Sequence, residues 1–419
     1  MKNKLNLDLN KKILIISSWS PPKIGGPENL YNILSNINRN DYFILTSKQN
    51  FIDVNNNFGT KLECDYYFYD DKKNINNPNL DKKKYNFKNY ILKFFSKNII
   101  FTIKFLLIDL KNLTKIIGSG NNIIKNKKIN LLIGVSDTKM NLLSTYILSK
   151  KTKIPFVLYI FDLYYGNNFN FPYNILAKIF EPLIFKNAKH ILVTNDETKK
   201  YYIKKYGNEN KYSIIYNSVF HDKYTKYNSN QKLDHNNKLN IVFTGNIYWA
   251  QKSTLDNLLN LIKNKLNINI TIYCPNPPID LIKKYSKCKK ITFKSEAQAE
   301  MPKIQSEADI LFLPLSWNTG FDDIIKTASP GKLSDYLIAG RPILINAPDF
   351  SFISKYAIEN NFAEVVDKED PEMLKLAIEK IANNKKYVNI LVENAKKTFY
   401  KNHNAYDNSL KFQKIINNK

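Results

Sequence analysis

The stretch Ser329-Pro330-Gly331-Lys332-Leu333-Ser334-Asp335 puts a lysine and a carboxylate one helical turn apart, behind a serine, a proline and a glycine. Ser329 suits a helix cap and Pro330 the first helical position. A lysine in the first turn opposes the helix dipole, so it is costly there unless an anion is bound as well. A helix N-terminus joined to a Lys ammonium is a way to hold phosphate. Asp335, one turn on, can receive hydroxyls of a sugar attached to that phosphate. The competing reading is an ordinary capped helix with an exposed Lys and Asp. The helix should end at Ala339-Gly340.

A second candidate is Ser20–Tyr31, S-P-P-K-I-G-G-P-E-N-L-Y. Its paired glycines resemble a phosphate cradle, but Glu28 occupies the first turn of the following helix and satisfies the dipole itself. Gly25 and Gly26 are therefore expected to let the backbone come close to a reacting sugar and acceptor. Asp162, in F-D-L-Y-Y (Phe161–Tyr165), follows an apolar run and is a candidate for orienting the acceptor or the reacting sugar, against a loop-capping role. Glu181 is read as structural and His190 as an ordinary, partly buried histidine.

The elements that must position these groups follow one plan twice. Lys12–Ser17 and Leu239–Gly245 are short β-branched runs ending in glycine-containing turns. Further strands are predicted at Tyr42–Ser47, Leu131–Val135, Phe156–Ile160, His190–Thr194 and Ser213–Tyr216. In the second half they fall at Ile268–Cys274, Ile291–Phe293, Ile310–Pro314, Pro342–Asn346 and Ala363–Val366. Strands alternating with helices, such as Thr254–Leu266, imply parallel sheets covered on both faces. The class is α/β with two doubly wound Rossmann-like domains. The polar run His221–Asn237 separates them, giving domains at 1–220 and 238–395, a linker at 221–237 and a closing helix at 396–419 that returns toward the first domain. In such sheets ligands lie beyond the carboxyl ends of the strands.

The 419 residues carry 63 Lys+Arg against 37 Asp+Glu, a formal charge of +26, and Arg39 and Arg341 are the two arginines. A basic nucleic-acid-binding protein would need clustered arginine or a reading motif, and none is present. The charge reads either as a Lys-rich solvated surface or as attraction to anionic lipid or phosphorylated partners. Three cysteines without metal spacing point to a reducing compartment, and four scattered histidines argue against a metal site. The N-terminus has no apolar signal core, so a cytoplasmic protein is expected. Within 90–118, Lys93, Lys97, Lys104, Lys111 and Lys115 fall in about a 40° sector of a helix. A lysine costs about 2.5–3.5 kcal/mol at mid-bilayer, which disfavours a spanning helix. The segment is either a largely buried domain helix or one lying on an anionic membrane surface.

Ala308–Ile345 resembles the donor-nucleotide loop of GT-B-fold glycosyltransferases of the family 4-like group, with its S-P-S-K-L-x-E-Y-x-A-A-G-x-P-I-L pattern. Pro21, Pro22, Gly25 and Gly26 match its P-P-x-x-G-G element. Glu181–Thr194, Tyr206-Gly207, Ile215–Val219 and Thr244–Ile247 match further elements in order. The resemblance implies retaining transfer of a sugar from a nucleotide diphosphate sugar to a glycan or lipid-linked acceptor, without cofactor or metal, in lipopolysaccharide, capsule or exopolysaccharide synthesis. It assigns Lys252 and Lys332 to the diphosphate and Asp335 to the ribose. Gly245, Asn246, Thr327, Ser329, Gly331 and Leu333 complete the donor site. Asp162, Lys252 and Lys332 are the candidates for catalysis, and Gly25, Gly26 and Asp162 line the acceptor side. Asn246 stands where many relatives have Arg, and Thr327 where many have a sugar-contacting Glu, a role Asp322 or Asp323 could assume. A nucleotide-sugar epimerase of the same fold is the alternative, and a dinucleotide-dependent oxidoreductase lacks its G-x-G-x-x-G. Partners are the donor, the acceptor and an anionic membrane touched peripherally through 90–118.

Overall fold

The computed structural model describes residues 5–19, 21, 26–51, 61–70, 90–138, 140–167, 173–227 and 238–418, with 90–106 as backbone. Strands β1 (Ile13–Ile16), β2 (Tyr42–Thr46), β3 (Asp65–Phe68), β4 (Leu131–Val135), β5 (Phe156–Ile160), β6 (His190–Val193) and β7 (Tyr212–Ile214) form one sheet, in the order β3-β2-β1-β4-β5-β6-β7. Strands β8 (Asn240–Thr244), β9 (Asn269–Tyr273), β10 (Ile291–Lys294), β11 (Ile310–Pro314), β12 (Ile343–Asn346) and β13 (Glu364–Val366) form the other, ordered β10-β9-β8-β11-β12-β13. The pairings of β1 with β2 and β4, and of β8 with β9 and β11, are parallel. The runs I-L-I-I of β1 and F-V-L-Y-I of β5 are buried at every position, as strands covered on both faces require.

Two compact units result. One comprises Met1–Val193, Tyr202–Ser213 and Gln413–Lys419, the other Thr194–Tyr201 and Ile214–Phe412. The last helical turns join the first unit: Asn417 Oδ1 accepts the Asn10 N–H at 3.0 Å, and the Lys11 ammonium donates to the carbonyls of Ile416 and Asn417. In each sheet the strand order reverses beside the first strand of its unit, between β1 and β4 and between β8 and β11. Loops leaving those strands flank the crevice in which such sheets hold ligands.

Three local expectations are corrected. The helix after β8 begins at Trp249, so Lys252 lies in its first turn. The last strand of the first sheet is Tyr212–Ile214, earlier than the expected Ser213–Tyr216. Strand β3 was not expected: D-Y-Y-F is an edge strand with mixed exposure, so it lacks both the continuous apolar run of a central strand and a clean alternation. The helix Tyr90–Lys127 spans the basic amphipathic segment. Among the described residues no helix is long and apolar enough to cross a membrane.

Candidate functional site

In the second unit the glycine turn after β8 meets the S-P-G-K segment. Gly245 has φ +97°, a backbone that favours glycine, and a Cβ placed there would stand 3.4 Å from Lys332 Cε and 3.5 Å from its Nζ. Lys332 is half-buried as a residue, but its Nζ is enclosed and has no hydrogen-bond partner. The ammonium lies 3.6 Å from the ring centroid of Phe243, the penultimate residue of β8. Burial pushes its pKa down to about 7, since a charge in apolar surroundings is expensive and the aromatic face compensates only part of the loss. A lysine so placed becomes favourable when an anion enters.

Asp335 is held from the chain segment just ahead of the second sheet. The buried Tyr224 hydroxyl lies 2.7 Å from Asp335 Oδ1 and 2.5 Å from Gln305 Oε1. One hydroxyl proton can serve only one of those acceptors at a time. Gln305 Nε2 in turn donates to Thr244 Oγ1 at 3.0 Å, and the Thr244 N–H donates to the Tyr336 hydroxyl at 3.0 Å. Burial raises the Asp335 carboxyl above the usual range, opposed by the Tyr224 hydrogen bond and the Lys223 charge. The chain Thr244–Gln305–Tyr224–Asp335 thus joins the glycine turn to the carboxylate. Neither Tyr224 nor Gln305 carries a sequence signal, because each acts through a neighbour brought to it by the fold.

The expected cap is corrected. The helix begins at Lys332 behind Gly331, and no side chain caps it. Ser329 is instead held by Asn217, whose Nδ2 donates to the Ser329 carbonyl at 2.8 Å and toward its Oγ at 3.4 Å. Leu333 is a core residue, while Gly331 and Asn246 are exposed, and open space surrounds the Gly331 Cα. The Thr327 carbonyl accepts from Asn195 Nδ2 at 2.9 Å, and its hydroxyl donates to the Asp323 carbonyl at 2.7 Å. Asp322 and Asp323 are exposed in the first turn of the helix Asp322–Thr327. Lys252 is paired with Asp280 at 2.5 Å on the surface, a partner the sequence did not suggest.

In the first unit, three loops at the carboxyl ends of β1, β4 and β5 are tied together. A Cβ on Gly26 would fall 2.5 Å from Phe161 Cδ2, so the ring of the F-D-L element packs directly on that glycine. Ser136 Oγ accepts the N–H groups of Phe161 at 2.9 Å and Asp162 at 3.4 Å. Asp162 itself is exposed; the surrounding chain raises its carboxyl, an effect that contact with water weakens. Asp137, which sequence reading passed over, accepts from Ser17 Oγ at 2.5 Å, the Trp19 N–H at 3.1 Å and Asn141 Nδ2. Burial pushes its carboxyl up to about 6 against those donors. A Ser-Asp pair directly after a buried strand was its only sequence signal. Glu181 fixes the same region from behind, accepting from the Tyr165 N–H, Lys205 and the Tyr206 hydroxyl. Gly25 and Pro22 lie outside the described residues. Among the described residues no group of three His, Cys, Asp or Glu could hold a metal ion.

No protein-family model matches the sequence, and no curated protein is similar to it. Solved structures are. HepE from Anabaena, crystallised with UDP-glucose, superposes with a TM-score of 0.69 at 10% identity, covering 98% of this chain and 100% of its own. Sucrose-phosphate synthase from Thermosynechococcus elongatus gives 0.68 at 11%, covering 97% of this chain and 98% of its own. WaaG, a glycosyltransferase involved in lipopolysaccharide biosynthesis, gives 0.60 at 14%, covering 96% and 99%. At such identities the likeness speaks for architecture: the chain has the GT-B fold, two parallel Rossmann-like sheets each covered by helices.

Proposed function

We propose that the protein is a glycosyltransferase that moves a sugar from a nucleotide diphosphate sugar to a glycan or lipid-linked acceptor, with retention at the anomeric carbon. The observation that carries this reading is the enclosed, partnerless ammonium of Lys332 beside the Gly245 turn. Lys332 receives the diphosphate, and Lys252 joins it by exchanging Asp280 for phosphate oxygen. Asp335, oriented by Tyr224, accepts the ribose hydroxyls. Gly245, Asn246, Ser329 and Gly331 offer backbone and open space around the phosphates, with Thr327 and Leu333 shaping the wall. Departure of the nucleoside diphosphate builds negative charge on its oxygens, which preorganised cations stabilise most in the transition state. No metal is required where lysines supply that charge. Gly25, Gly26 and Asp162 serve the acceptor or the reacting sugar.

Support for the sugar-nucleotide donor comes from the GT-B fold and from HepE, crystallised with UDP-glucose. The reading extends to surface-glycan synthesis on a membrane-bound acceptor, with peripheral contact through 90–118. The test offers the purified protein UDP-, GDP- and dTDP-sugars, following thermal stabilisation and slow donor hydrolysis. One class of nucleotide sugar should stabilise the protein, and Lys332→Ala should remove most of that stabilisation. Unchanged affinity in Lys332→Ala would move the site elsewhere; a response to NAD or DNA alone would end the transferase reading.

A further inference from the structure

In the second unit the helix Trp249–Asn264 buries Ala250, Gln251, Thr254 and Leu255 at its N-terminal end. Ala250 and Leu255 are apolar, and the Thr254 hydroxyl donates to the Leu315 carbonyl at 2.9 Å. Gln251 is the exception. It is wholly buried, yet neither its Oε1 nor its Nε2 has a hydrogen-bond partner. Among the described residues it is the one amide side chain with both polar atoms enclosed and unpaired. An unpaired buried amide costs stability that an apolar side chain of the same shape would not, so packing alone does not explain a glutamine here.

Its place in the fold puts that amide at the Gly245 turn. Gln251 is in the first turn of a helix that begins just after Gly245, and helical side chains lean toward the N-terminus of their helix. The glutamine therefore reaches back over the loop that leaves β8. It shares a helix face with Leu255, which packs in one core layer with Phe243 of β8 and with Cys274 at the end of β9. Lys332 arrives at the same corner from a helix whose Leu333 and Tyr336 pack in the other core layer. Its ammonium stands over the Phe243 ring, is close enough to Cys274 to feel its charge, and lies 3.5 Å from where a Gly245 Cβ would be. Two enclosed and unpaired polar groups, an amide and an ammonium, thus flank one glycine turn.

We propose that Gln251 is a donor-binding residue that recognises the sugar-bearing phosphate of the nucleotide sugar. An amide offers both donor and acceptor atoms, whereas the Lys332 ammonium only donates. One phosphate oxygen can accept from Lys332 Nζ and Gln251 Nε2 together, which leaves Gln251 Oε1 to accept from a hydroxyl. A ligand that meets both needs carries hydroxyls beside an anion, as a hexosyl diphosphate does. A free nucleoside diphosphate lacks the sugar hydroxyl at that end. Entry requires the ammonium to leave the Phe243 ring, which its flexible four-carbon stem allows. This assignment rests on the donor reading of Lys332 and adds to it a residue that tells the nucleotide sugar from its nucleoside diphosphate.

The experiment titrates the full chain calorimetrically with UDP-glucose, GDP-mannose and dTDP-glucose, and with UDP, GDP and dTDP. Wild type, Gln251→Met and Gln251→Glu are compared on the pair that the wild type binds. Gln251→Met should weaken the nucleotide sugar about fiftyfold and the free diphosphate about tenfold, since both lose a hydrogen bond to a charged oxygen and only the first loses one to a hydroxyl. Gln251→Glu should weaken both ligands further, because it sets a carboxylate against the phosphate. Without ligand, Gln251→Met should melt no lower than the wild type, because a side chain of similar volume replaces an unpaired buried amide. Equal losses for the two ligands, unchanged affinity in both variants, or a Gln251→Met that melts well below the wild type overturns the assignment and leaves Lys332 in place. A wild type that binds none of these nucleotides overturns the donor reading, and this assignment with it.

Discussion

The Lys332 ammonium has no hydrogen-bond partner and rests against the face of Phe243. An apolar side chain of similar length should suit that space better, so Lys332→Met is expected to melt at a higher temperature while losing donor binding. The sign of its pH dependence follows from the shift. Lys332 titrates at about 7 when folded against its ordinary 10.5, so the unfolded chain binds the extra proton between those values. Stability of the wild type should therefore rise as pH climbs from 7 toward 10.5. The melting advantage of Lys332→Met should be greatest at or below pH 7 and shrink above it; a constant difference across that range would mean the ammonium is not buried. Gly26 makes a separate prediction. Its neighbour is a ring, which cannot swing aside like the tip of a flexible chain, so Gly26→Ala should cost about 1–3 kcal/mol from overpacking. A double-mutant cycle in denaturant should show a much smaller cost in a Phe161→Ala background, and additive costs would refute the contact.

At the scale of elements, the donor loops are held by residues far away in the chain. Tyr224 and Gln305 couple Asp335 to Thr244, and Asn217 holds Ser329 while its own carbonyl is 2.7 Å from His403 Nδ1. His403 is buried and its pKa falls to about 4, so it is neutral at physiological pH and keeps one ring nitrogen for that carbonyl. Tyr224→Phe preserves the ring and deletes the hydroxyl. It should weaken nucleotide affinity roughly tenfold, the size of a hydrogen bond to a charged group, with little change in fold by circular dichroism. Calorimetric titration checks this, and wild-type affinity in Tyr224→Phe would separate Tyr224 from the ribose carboxylate.

For the whole molecule, 63 cationic against 37 anionic side chains mean self-repulsion in dilute buffer. Screening should relieve it, so the melting temperature should rise when ionic strength goes from about 0.01 M to about 0.15 M. A flat response would show that cations such as Lys265 and Lys380, paired with Glu372 and Glu364, are already balanced locally.

The amino-acid sequence by itself determined the alternation of strand and helix, because runs such as I-L-I-I and F-V-L-Y-I are too short and too apolar to be stable unless buried on both faces of a sheet. It also marked Lys332, because a cation in a helix's first turn is costly without an anion, Asp335 one turn beyond it, and Gly245 and Gly26, because glycine lets the backbone turn or approach closely. It left the edge strand β3, the early start of the helix at Trp249 and the role of Ser329 undetermined, where local propensity is weak. Only tertiary structure decided that Lys332 is enclosed, that Lys252 pairs with Asp280, and that Tyr224, Asn217 and Asp137 are the groups holding the loops. The paired glycines of the opening loop became distinguishable in the same way, Gly26 being required by the Phe161 ring. The reason is physical: residue type and spacing fix what a side chain can do, but burial and partners come from other segments, 28 residues away for Lys252 and Asp280 and 111 for Tyr224 and Asp335, and those meet only as the sheets order their strands.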